Sequence, residues 1–103
     1  MTERRRVRIV LKWLMPPPPD GQSSLAPFSI PTRFEHQDDN WRKDAWSLVI
    51  TPEGIINDQG EQIGVARFLV DEAPHDWLVL GKRFTLVAGQ VVAEGLVTAV
   101  LPD

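Results

Sequence analysis

Cysteine is absent from the 103 residues, which excludes disulfides and thiolate metal sites and leaves the redox compartment open. Long apolar runs are absent too, and no stretch approaches the length of a membrane span. Arg4-Arg5-Arg6 precedes apolar residues, yet Arg8 and Lys12 interrupt them and the small-residue cleavage pattern of a secretory leader is missing. A cytoplasmic location without membrane association is therefore expected. Only two histidines, His36 and His75, stand available as bases near neutral pH. No segment sustains a helical period, so the chain must build its core from strands.

What is present fits that demand. One domain is expected from the length, and four tryptophans with a 43% hydrophobic content suit a packed core. Val7, Ile9, Leu11 and Trp13 alternate with Arg6, Arg8, Val10 and Lys12, the period of a half-buried strand with a basic outer face. Pro16-Pro17-Pro18-Pro19 stops it. Consecutive prolines donate no ladder hydrogen bonds and favour polyproline II, so a stiff connector to about Ala26 is expected. A tetraproline is also a ligand type for aromatic-grooved domains. Short extended pieces at 28–30 and 34–36 flank Pro31, as in an edge or bent strand. Residues 36–44 read as a polar loop and 45–51 as a strand with Trp46, Leu48 and Ile50 on one face. Turns follow at Pro52-Glu53-Gly54 and Asn57-Asp58-Gln59-Gly60. Residues 63–70 read as a further strand, and Trp77 to Leu80 as either a strand or one helical turn. Residues 82–101 form two β-type runs meeting at Ala88-Gly89-Gln90, a closing hairpin. Its second run is apolar on both faces, with Val91, Ala93, Gly95, Val97, Ala99 and Leu101 sharing one, which marks a strand with neighbours on either side. An all-β barrel or sandwich is the inference.

Charge is unevenly placed. Arg4, Arg5, Arg6, Arg8 and Lys12 outweigh Glu3 to give the first thirteen residues +4, and the remainder sums to −7. An acidic body does not favour phosphate backbones, so an RNA role would rest on that first strand with Trp13 as a stacking residue. The period places Trp13 opposite in phase to Arg8 and Lys12, which favours a solvated strand face with Trp13 in the core. Trp46 reads as core, whereas Trp41, in a polar loop, is expected to be exposed and to sit at an interface. His36 with Asp38 and Asp39, or His75 with Asp76, would offer a metal or catalytic site only if loops converged, since no third anchor or ligand spacing accompanies them. The serines lack a nucleophile-elbow context.

The closing hairpin is similar to the end of the C-terminal β-barrel domain of elongation factor Tu. That pattern is carried here by Arg83-Phe84, Leu86, Gly89, Val92, Gly95, Val97, Val100 and Leu101. Pro52-Glu53-Gly54 also resembles a turn of that domain, and Gly60-Glu61-Gln62-Ile63 its Gly-Asp-Asn-Ile. Val7 to Leu14 stands where its first strand runs, and Pro27-Phe28 where its second begins. The resemblance implies a six-stranded antiparallel Greek-key barrel that packs on a GTPase domain and helps hold the tRNA T stem and protein partners. This chain departs at two cationic positions: Gln90 replaces the arginine after the turn glycine, and Arg33 lies two places beyond the arginine of the second strand. It also lacks any Gly-x-x-x-x-Gly-Lys-Ser/Thr phosphate loop.

The expected function is thus a non-catalytic interaction module of translation-factor type that binds a protein, with no nucleotide, cofactor or metal. RNA binding through the basic first strand is the alternative, and a small metal-binding or enzymatic domain using His36 or His75 a further one. The expected interaction residues are Arg4, Arg6, Arg8, Lys12, Arg33, Trp41 and Gln90.

Overall fold

The computed structural model describes residues 5–14 and 26–102. Six strands are built from them: β1 (Val7–Trp13), β2 (Phe28–Phe34), β3 (Trp46–Pro52), β4 (Glu61–Phe68), β5 (Arg83–Ala88) and β6 (Gln90–Val100). They close into an antiparallel barrel in the order β1-β4-β3-β2-β5-β6. β2, β3 and β4 follow one another as neighbours, and β5 returns to lie beside β2, the Greek-key arrangement. Alternation does the rest. Val7, Ile9 and Leu11 of β1, Phe34 of β2, Leu48 and Ile50 of β3, Ala66 and Phe68 of β4, Leu86 of β5, and Ala93 and Val97 of β6 fill the interior.

Two bulges shape β6. Its pairing with β1 shifts between Arg8 and Ile9, which face Ala99 and Val97 and leave Thr98 as the extra residue. The Thr98 hydroxyl donates to the Arg8 carbonyl at 3.2 Å. A second shift between Leu86 and Val87 makes Val92 the extra residue opposite β5. That shift corrects the sequence pattern: Ala93, Gly95 and Val97 point inward, but Val91 is 43% exposed. Gly95 sits opposite Phe84, whose ring occupies the space a β-carbon would need.

Further expectations are corrected. β2 is one strand through Pro31, not two pieces. Pro31 pairs only with Ser47 of β3, and pairing with β5 begins at Thr32, so the missing N–H falls where one side of the strand has no ladder. β4 runs from Glu61 to Phe68 rather than over 63–70, leaving Leu69 and Val70 exposed beyond its end. Its inward polar residue explains the shift. Gln62 is buried because it accepts from the Trp13 indole N–H at 3.0 Å and donates to the Gly54 carbonyl at 2.9 Å, while Ile63 points out. Trp13, on the inward phase of β1, is half-buried and packs on Phe28 rather than in the barrel centre. Finally, 3-10 turns form at Trp41–Asp44, inside the expected loop, and at His75–Trp77.

Candidate interaction groove

In an antiparallel barrel successive connections alternate between the two ends. The β2–β3 connection, residues 35–45, and the β4–β5 connection, residues 69–82, therefore share one end. Between them lies a groove of about 570 Å³ whose walls include His36, Asp38, Trp41, Trp46, Glu72 and Trp77, with Lys43 and Pro74 beside them. Its size is that of an ordinary ligand or peptide site.

The barrel core holds these rings in place. Phe34, fully buried at the end of β2, meets the Trp77 indole edge-on at 5.4 Å between centroids. Phe68, at the end of β4, meets Trp46 at 6.5 Å and 72°. Trp77 in turn meets His36 at 4.3 Å and 85°. Such edge-to-face contacts add to the area the rings bury and fix their orientation. Trp41 is 9% exposed, which corrects the expectation that it lies open to solvent: the 3-10 turn that begins with it folds the indole inward, and the Arg42 guanidinium lies 5.0 Å from its ring centre.

His36 is biased toward its neutral form. Lys82 Nζ lies 2.9 Å from His36 Nδ1. Because an ammonium can only donate, Nδ1 accepts and the ring proton sits on Nε2. Burial, and then the positive charge of Lys82, push the His36 pKa below its ordinary value, against an opposing pull from Glu35. His75 is buried with Nε2 2.9 Å from the Asp71 carbonyl, and its Nδ1 has no hydrogen-bond partner. Among the described residues no group of three or more His, Asp or Glu side chains is placed to hold a metal ion.

The sequence-derived interaction residues are scattered. Arg4 lies outside the described residues. Arg6 donates to the Pro102 carbonyl at 3.2 Å, and Arg8 to the Glu53 carboxylate at 3.0 Å. Lys12 stands in register with Glu61 on one side and Glu94 on the other. Arg33, on β2 across the barrel from β1, donates to the Gln37 carbonyl at 3.2 Å. Gln90 occupies the hairpin at the opposite end from the groove. Only Trp41 lines the groove. His36, Trp46 and Trp77 become groove residues because barrel closure sets two sequence-distant connections side by side. The signal was present in the alternation of strand ends, once six strands are counted.

No protein-family model matches the chain, and the chain has no match among curated proteins. Among the described residues no helix is long and apolar enough to cross a membrane.

Proposed function

We propose that the barrel is a non-catalytic interaction module that holds a protein partner in the tryptophan groove. One observation carries this reading: three indoles line one concave site with charged residues around it, and two of them, Trp46 and Trp77, are braced by buried phenylalanines. Large rigid aromatics surrounded by polar side chains are the usual anchors of protein recognition. The translation-factor character of the module is part of the proposal and rests on the sequence similarity of the closing hairpin at Arg83-Phe84, Gly89 and Gly95. RNA binding is the weaker reading, because Arg8 is paired with Glu53 and Lys12 is flanked by Glu61 and Glu94.

The test is affinity capture from native lysate with wild-type protein and with Trp46→Ala and Trp77→Ala. A hot-spot truncation costs about 2 kcal/mol or more, roughly a thirtyfold loss of affinity. Partners held by the wild type should be lost from both variants, each checked for retained strand content by circular dichroism. Undiminished recovery by both folded variants would sink the proposal.

A further inference from the structure

We infer that the groove takes a proline-rich segment in the polyproline II conformation, and that its occupant is Pro16-Pro17-Pro18-Pro19 of a second copy of this chain. The inference rests on the groove being a protein-binding site.

The groove's chemistry selects this ligand class. Trp41, Trp46 and Trp77 with Pro74 offer an aromatic, apolar floor, and such floors dock polyproline II because its order is already present before binding. Asp38, Glu72 and Lys43 add charges of both signs. Asp20 directly follows the tetraproline in the sequence, a carboxylate that Lys43 of the groove complements. A bare carboxylate or phosphate ligand would want a net positive rim, which these three side chains do not provide.

Reach decides that the prolines come from another copy. β1 runs away from the groove, so Leu14, which bonds to Val92 at the start of β6, lies at the far end of the barrel. From Val7 to Leu14 a strand covers roughly 23 Å at about 3.3 Å per residue. The groove lies beyond the Val7 end, since Phe68 follows Ala66, the β4 partner of Val7. Pro16 is two residues past Leu14, and Pro19 five, so they extend at most about 7 and 18 Å from it. Neither reaches the groove of its own barrel. A second copy meets no such limit. Ligand and groove then sit on different surfaces of one molecule, so the contact is heterologous and propagates head to tail.

The experiment is sedimentation velocity on the full chain across concentration, with a fluorescence titration of wild-type protein by a synthetic peptide covering 14–21. Two variants accompany it: one with all four prolines replaced by serine, and Trp77→Ala. Support requires that the wild type gain mass with concentration, that each variant alone stay monomeric, and that their equimolar mixture form a heterodimer and stop there. The peptide should perturb tryptophan emission saturably, with roughly thirtyfold weaker binding to Trp77→Ala. A wild type that stays monomeric and ignores the peptide overturns the inference. So does association that survives the proline replacement, or a foreign proline-rich peptide that binds where this one does not. If lysate partners still depend on Trp77 in those cases, the interaction-module reading stands alone. If they do not, both fall.

Discussion

Gly95 and Phe84 face each other across β5 and β6, and the phenylalanine ring covers the glycine. A methyl group placed there collides with the ring, and the ring is 3% exposed, so little free space surrounds it. Gly95→Ala should destabilise the barrel by about 1–3 kcal/mol, the usual cost of overpacking. Denaturant midpoints measure it, and Phe84→Leu in the same background should recover part of the loss. Gly54→Ala is the control, since nothing lies within 4 Å of the added carbon. His36 supplies the pH dependence. Its folded pKa lies below the ordinary 6.5, so the folded state binds the proton less readily than the unfolded chain. Its contribution is complete above pH 6.5 and is lost as pH falls through the lowered folded value. An NMR titration should place the His36 midpoint below that of an unfolded peptide. Lys82→Met should raise it part of the way, because burial, the larger cause, remains. A midpoint at the ordinary value in the wild type would contradict this assignment.

β2 is the element on which closure depends. It pairs with β3 at five positions but with β5 at only three, Thr32, Arg33 and Phe34. Side chains compensate for the short ladder. Phe34 contacts Phe84 of β5 at 5.9 Å and Phe68 of β4 at 5.6 Å between ring centroids, so one residue ties three strands. Phe34→Ala should cost about 3–5 kcal/mol. Amide exchange in the wild type should be faster along the β2–β5 seam than along the seven-position β1–β6 pairing. Equal protection of both seams would show that the phenylalanine cluster dominates backbone pairing. The strands themselves were legible because alternation is a local property: β1 could be read from Val7, Ile9 and Leu11 alone. Register was not. The start of β4 turned on Gln62, whose burial depends on Trp13 and Gly54, and the facing of Val91 turned on a bulge at Val92. Hydrogen bonds between distant residues decide both, and no short window of sequence contains them.

At the level of the whole molecule, two of the N-terminal cations, Arg8 and Lys12, lie beside carboxylates despite the uneven placement of charge along the chain. The +4 of the first thirteen residues suggests an electrostatic footprint. Barrel closure instead sets Lys12 in register with Glu61 and Glu94, and brings Arg8 to Glu53. Titration with structured RNA at two salt concentrations should therefore give weak binding without a steep salt dependence. Tight binding that collapses with salt would restore the RNA reading. The Arg8–Glu53 pair is largely solvated, so Glu53→Gln should change stability by less than about 1 kcal/mol. The groove was hidden from sequence for the same reason as the charge pairing, because His36 and Trp77 belong to separate connections that only the closed topology unites. Closure has one more effect. A sheet with two free edges offers rows of unpaired amides on which a visiting strand can be laid, and that mode of recognition is indifferent to most side chains. Here each of the six strands has a neighbour on both sides, and the stretch of β2 without a ladder toward β5, residues 28–31, is short and contains Pro31, so a partner finds little backbone template to copy. On the proposed role, recognition would fall to the side chains of residues 35–45 and 69–82, where substitution or insertion would leave the ladders beneath them undisturbed.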